Sequence, residues 1–133
     1  MSSAPLAVMV VDDDPSMRSL LVDYLSREGF GVIAQASGEA AVAALEIERV
    51  DAVVVDKEMP GMNGLDFVSY VRGRRPELPI VLITAFGGAH VRREALARGA
   101  SRYLEKPFHL KELGAALSEG GPLRPPLPGA PHE

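Results

Sequence analysis

The residues with the most chemical potential are acids, one threonine and one lysine, each at the end of a short apolar run. Asp12-Asp13-Asp14 follows Ala7–Val11, Asp56 follows Ala52–Val55, Thr84 follows Ile80–Ile83, and Glu105-Lys106-Pro107 follows Arg102–Leu104. Where Asp12, Asp13 and Asp56 meet at one rim, their charges repel and are costly to desolvate, so something positive must hold them. Oxygen-only ligands select a hard cation, and two or three carboxylates completed by water suit Mg2+ better than zinc. A cation and a lysine facing a carboxylate form a receptor for a phosphoryl group. Asp56 can then act as a nucleophile and form an acyl phosphate, with Thr84 supplying a hydroxyl and Lys106 an ammonium.

That chemistry needs a frame that brings distant strand ends together. The apolar runs Ala7–Val11, Val32–Ala36, Ala52–Val55, Ile80–Ile83 and Arg102–Leu104 have strand character, and three are nearly continuous. Such runs suit a parallel sheet covered by helices on both faces. Between them lie segments of helical spacing. Met17, Leu20, Leu21, Tyr24 and Leu25 form one apolar stripe, with Asp14 as N-cap, Pro15 in the first turn and Gly29 as the stop. Further helices are expected over Gly38–Glu48, from Asn63-Gly64 to before Pro76, over Ala89–Arg98 with a stop at Gly99, and over Leu110–Ser118. The fold class is α/β. Five β-α repeats with right-handed crossovers give a doubly wound parallel sheet of order 2-1-3-4-5, in which ligands bind outside the carboxyl ends of the strands.

Composition narrows the field. With 133 residues the chain fits one core, and with no cysteine it has neither a disulfide framework nor a thiolate nucleophile. A net charge of −4 argues against direct nucleic-acid binding. Without a signal peptide or a long apolar stretch, no membrane association is expected and the location should be cytoplasmic. Five of the 11 prolines fall in the last 14 residues. The expected organisation is an N-terminal extension (1–5), one domain (6–119) and a proline- and glycine-rich tail or linker stub (120–133).

Over residues 6–119 the chain resembles the receiver domains of two-component response regulators, which have the flavodoxin-like (βα)5 fold. The resemblance rests on Val10-Val11-Asp12-Asp13-Asp14-Pro15, the stretch Val55-Asp56-Lys57-Glu58-Met59-Pro60-Gly61-Met62-Asn63-Gly64, Ile83-Thr84-Ala85, and Tyr103-Leu104-Glu105-Lys106-Pro107-Phe108. It implies that Asp56 is the phosphoacceptor and that Asp13 ligates Mg2+ directly, with Asp12 acting mainly through water. The backbone carbonyl of Glu58 completes the protein's share of the coordination. Thr84 and Lys106 contact the phosphoryl group, and a cis bond before Pro107 aims the lysine inward. Tyr103 is the aromatic that swings when Thr84 is drawn toward the phosphate. The implied partners are a histidine kinase or phosphotransfer protein upstream, and an effector protein or an output domain downstream. The surface of the fourth helix, fifth strand and fifth helix would carry the output, and a homodimer through it is one form that output can take.

Simpler readings are available for single residues. Asp14 is a helix cap, His90, His109 and His132 show no ligand spacing, and Thr84 alone is merely a strand residue. Arg92, Arg93, Arg98 and Arg102 make the fourth-helix region locally basic, which suits either a solvated face or an acidic partner. Glu58 adds a negative charge near the phosphoryl site, and Phe86 is placed to shield an acyl phosphate from water. The catalytic groups serve the domain's own phosphorylation and dephosphorylation, so no turnover enzyme is expected. Two alternatives stay open: an aspartyl-phosphate phosphatase of the haloacid-dehalogenase type, and a receiver-like interaction module that is never phosphorylated.

Overall fold

The structure, a computed structural model, describes residues 5–119. The expectations for residues 1–4 and for the 120–133 tail therefore lie outside the described residues. The elements run β1 (Ala7–Val11), α1 (Pro15–Arg27), β2 (Gly31–Gln35), α2 (Gly38–Leu45), β3 (Ala52–Asp56), α3 (Gly64–Arg74), β4 (Ile80–Thr84), α4 (Ala89–Arg98), β5 (Arg102–Glu105) and α5 (Leu110–Glu119). All strand pairs are parallel and the sheet order is β2-β1-β3-β4-β5, the doubly wound order expected from the β-α repeats.

Strand alternation divides the core into two layers. Met9, Val11, Val53, Val55, Ile80 and Leu82 face a cluster completed by α2, α3 and α4, with Phe67 and Val68 at its centre. Their neighbours Val8, Val10, Val54, Val81 and Ile83 face Leu21 and Leu25 of α1 and Leu113 and Leu117 of α5. Each of these leucines is almost wholly buried and contributes about 1.5–3 kcal/mol by leaving water. The chain order thus puts helices on both faces of the sheet, and the polar strand ends are left at one rim.

Local chemistry sets the boundaries. The Asp14 carboxylate accepts the Ser16 N–H at 3.0 Å, which caps α1 just ahead of Pro15. Asn63 caps α3 in the same way, accepting the Asp66 N–H at 2.9 Å. The structure shortens α2, which stops at Leu45 rather than Glu48. The Leu45 carbonyl accepts Arg75 Nη2 at 2.7 Å, so the side chain of the residue capping the end of α3 satisfies an acceptor that a longer α2 would have used. β2 begins one residue earlier than expected and is only half-buried, because it forms an edge of the sheet. β3 and β4 each run one residue further than their apolar runs and so include Asp56 and Thr84.

Gly64 is where the loop after β3 closes on the strand. Its N–H bonds the Lys57 carbonyl at 2.9 Å, and a Cβ there would lie 2.4 Å from the Asp56 carbonyl oxygen. Gly64→Ala must therefore push the backbone of Asp56 aside. We expect it to cost about 1–3 kcal/mol in urea unfolding, as overpacking of a tight contact does. An unchanged midpoint would show that the loop yields freely.

Candidate functional site: a carboxylate cluster facing a lysine and a threonine

Three carboxylates come together at the rim. Asp12, Asp13 and Asp56 each offer an oxygen, all within 4.8 Å of one another. Adjacency of β1 and β3 makes this happen: Val11 pairs with Val55, so the residues that follow emerge side by side. Asp12 and Asp56 are buried, whereas Asp13 is exposed. The Asp12 backbone is held by Arg18 Nη1, 2.7 Å from its carbonyl, and Asp12 Oδ1 accepts the Asp14 N–H at 2.9 Å. Its other oxygen, Oδ2, is buried with no hydrogen-bond partner.

An orphaned carboxylate oxygen beside two further acids is an electrostatic deficit. Burial, with the charges of Asp56 and Asp13 adding to it, pushes Asp12 up from 3.8 to about 6, against the opposing Asp14 N–H and Lys106. Asp56 is also raised, chiefly by burial, although Lys106 works against the shift. Its Oδ2 accepts the Glu58 N–H at 2.9 Å, and its Oδ1 lies 2.8 Å from Lys106 Nζ. Burial pulls Lys106 down, but the Asp56 contact and the charges of Asp56, Asp12 and Glu58 outweigh it, so the ammonium is held above its usual range. The Lys106-Pro107 bond is cis, as the resemblance implied. The donor set fits a hard divalent cation: it is oxygen-only, excess in negative charge, and contains a buried acceptor that nothing else satisfies.

Thr84 completes the rim from β4 and is fully buried. Its hydroxyl, however, is already engaged. It donates to Glu58 Oε2 and accepts the Phe86 N–H at 2.9 Å. Glu58 Oε1 also accepts the Ala85 N–H at 3.2 Å, and Lys57 Nζ stands 3.4 Å from Oε2. Burial pushes Glu58 up, but these donors together hold its carboxyl below the usual range. Sequence reasoning placed Glu58 as an added charge and a carbonyl ligand but missed this contact. The signal was its offset: Asp56 pairs with Ile83, so residues two past Asp56 and one past Ile83 are brought close.

Tyr103 is half-buried against the core, and its hydroxyl donates to Glu105 Oε2 at 2.9 Å. The Gly88 N–H reaches both, Glu105 at 2.9 Å and the Tyr103 oxygen at 3.2 Å. Burial, and then the Glu105 contact, raises the phenol. The bare Gly87 lets the Tyr103 hydroxyl and the Glu105 carboxylate lie close against the loop between β4 and α4, where a Cβ would push both side-chain ends aside. Glu105 is a second residue that sequence reasoning left without a role.

Other candidates stand apart from the cluster. Phe86 is tied to the site through its amide, bonded to the Thr84 hydroxyl, while its side chain is 70% exposed. His90 and His109 are exposed, and His132 lies outside the described residues. The basic patch is smaller than four arginines suggest: Arg98 is spent on Asp66 at 3.2 Å and Glu94 at 3.0 Å, and Arg102 is half-buried with a bond to the Ser101 carbonyl. Of the four, Arg92 and Arg93 are exposed and carry no ion pair among the described residues. Among the described residues, no helix is long and apolar enough to cross a membrane.

Known proteins resemble this chain in sequence and fold. The sequence model of the response regulator receiver domain matches residues 8–118. The transcriptional regulatory protein TcrA of Mycobacterium tuberculosis is 42% identical over 123 residues, covering 90% of this chain and 49% of that protein. The response regulator protein FleR of Pseudomonas aeruginosa is 40% identical over 106 residues, covering 80% of this chain and 22% of that protein. The chain therefore spans half or less of the length of these relatives. Among solved structures, the Vibrio cholerae chemotaxis protein CheY4 superposes with a TM-score of 0.80 at 33% identity, covering 86% of this chain and all of that one. The response regulator TrrA of Thermotoga maritima, solved in complex with Mg2+ and BeF, gives 0.79 at 32% identity, covering 86% of this chain and 97% of that one. With acids at the ends of β1 and β3, a threonine ending β4, and a lysine just past β5, all on the expected sheet, the chain belongs to the response regulator receiver domain family.

Proposed function

We propose that the chain is a Mg2+-dependent phosphoacceptor that receives a phosphoryl group on Asp56 from a histidine kinase or phosphotransfer protein. The observation that carries this reading is Lys106 Nζ, 2.8 Å from Asp56 Oδ1 and beside the Asp12, Asp13 and Asp56 carboxylates. Asp12, Asp13, Asp56 and the Glu58 carbonyl would hold Mg2+, which when bound neutralises charge on the phosphoryl oxygens. An Asp56 oxygen attacks phosphorus as the N–P bond of the donor phosphohistidine breaks, and the freed imidazole takes a proton from solvent. Lys106 stays in place to pair with the new negative charge. The Thr84 hydroxyl turns from Glu58 to a phosphoryl oxygen.

That turn reaches the surface through the loop after β4, because Thr84 and Gly88 flank it and Gly88 is tied to Tyr103 and Glu105. Repacking of Tyr103 alters the face of α4, β5 and α5, which an effector, an output domain or a second copy would read. Exposed Arg92 and Arg93 favour an acidic contact there. The chain acts on itself rather than turning over a substrate, and it works in the cytoplasm without binding nucleic acid directly.

The test is incubation with acetyl phosphate and Mg2+, followed by intact mass. A gain of one phosphoryl group that disappears with EDTA supports the reading. No gain at saturating donor would leave a receiver-like interaction module that is not phosphorylated. Phe86 belongs to the same cycle as a rim residue: its exposed ring slows the approach of water to the acyl phosphate. Phe86→Ala is expected to shorten the phosphorylated half-life about two- to threefold, which is the effect of better water access at under 1 kcal/mol. An unchanged half-life would remove Phe86 from the mechanism.

A further inference from the structure

Glu58 does more than add charge to the rim. Its two oxygens take the two donors at the end of β4, the Thr84 hydroxyl and the Ala85 N–H. A carboxylate bound through one hydroxyl and one backbone amide, with a lysine ammonium 3.4 Å away, occupies a small anion seat. The seat adjoins Asp56, because the Glu58 N–H is itself bonded to Asp56 Oδ2 at 2.9 Å. A phosphoryl group on Asp56 needs donors on this side as well as Lys106 on the other.

Resting on the phosphoacceptor reading, we infer that the Glu58 side chain is an internal occupant of the phosphoryl seat, which the incoming group must displace. In the unmodified protein Glu58 takes both donors, so the buried Thr84 hydroxyl is not left without an acceptor and the exposed Ala85 N–H is engaged as well. A phosphoryl oxygen wins them only by exchange, one charged acceptor for another. The gain from binding is therefore smaller than the same donors would give if free. Lys57 gives the displaced carboxylate somewhere to go, since the Lys57–Glu58 pair lies at the partly exposed rim. Glu58 thus sets how strongly a donor must push before Thr84 moves.

Two explanations for any effect of Glu58 must be separated, contact and charge. Glu58→Asp keeps the charge but is one methylene too short to hold Thr84 and Ala85 from the same backbone. Glu58→Ala removes both contact and charge. The measurement is the dissociation constant of beryllofluoride in saturating Mg2+, followed on the Ala85 amide resonance of the full chain, with Mg2+ affinity measured separately for each variant. We expect Glu58→Ala and Glu58→Asp both to bind beryllofluoride about tenfold more tightly than the wild type, the size of one charge-assisted hydrogen bond no longer surrendered. Tighter binding by Glu58→Ala with wild-type affinity in Glu58→Asp would overturn the inference in favour of plain charge repulsion. Unchanged or weaker binding in both, at equal Mg2+ affinity, would overturn it outright. Absence of beryllofluoride binding in the wild type and in every variant would remove the phosphoacceptor reading, and the inference with it.

Discussion

On the phosphoacceptor proposal, Asp56→Asn is expected to abolish phosphoryl incorporation from acetyl phosphate and Mg2+. An amide keeps the shape of the side chain, so its oxygen can still accept the Glu58 N–H that Asp56 Oδ2 accepts at 2.9 Å. It lacks the anionic oxygen that must attack phosphorus, and it weakens the cation site by removing one of three charges. Lys106 loses its 2.8 Å ion pair but keeps Asp12 and Glu58 nearby, so the fold should persist by circular dichroism. Intact mass is the readout. Incorporation surviving in Asp56→Asn would move the acceptor to another acid, with exposed Asp13 the first to check.

Asp12→Asn is expected to make the cation-free protein more stable at alkaline pH while weakening Mg2+ binding. Asp12 is raised from 3.8 to about 6 by burial and by its acidic neighbours, so the folded state holds this proton more tightly than the unfolded chain. Stability from the bound proton is complete below about pH 4 and is lost as pH rises through about 6. At pH 8 the buried charge costs about 3 kcal/mol relative to a neutral group, since each pKa unit is worth about 1.4 kcal/mol. Asparagine retains an oxygen for the Asp14 N–H and carries no charge. Urea unfolding at pH 8 without Mg2+ should therefore show Asp12→Asn about 2–3 kcal/mol more stable, with the difference shrinking toward pH 4. A given concentration of Mg2+ should raise the stability of the wild type more than that of the variant. A variant less stable than the wild type at pH 8 would mean that the Asp12 charge has a partner that offsets its burial.

Both results rest on residues that stand out in the sequence, each a polar residue closing an apolar run. The runs also carry the topology, since near-continuous Val and Ile stretches separated by amphipathic helices leave few alternatives to a doubly wound sheet. Asp14 before Pro15 was legible as a cap because it needs only neighbours in sequence. The shorter α2 was not, because the group that stops it is Arg75, thirty positions from Leu45. Arg98 read as part of a basic patch for a similar reason: Asp66, one of its partners, sits on a different helix.

The same division runs through the site. Residue types and their place at strand ends were enough, by themselves, to single out Asp12, Asp13, Asp56, Thr84 and Lys106 as candidates for one site, and the sheet brings Asp12, Asp13 and Asp56 together with Lys106 beside Asp56. Only the tertiary structure decided what each polar atom touches. Glu58 reaches Thr84 across 26 positions, and Gly88 reaches Tyr103 across 15. Those contacts depend on the register of β3 against β4 and of β4 against β5, to within one residue. Hydrophobic periodicity specifies which face of a strand is buried, and it repeats every two residues. A hydrogen bond depends on fractions of an ångström between side chains on neighbouring strands, which no pattern along one chain encodes.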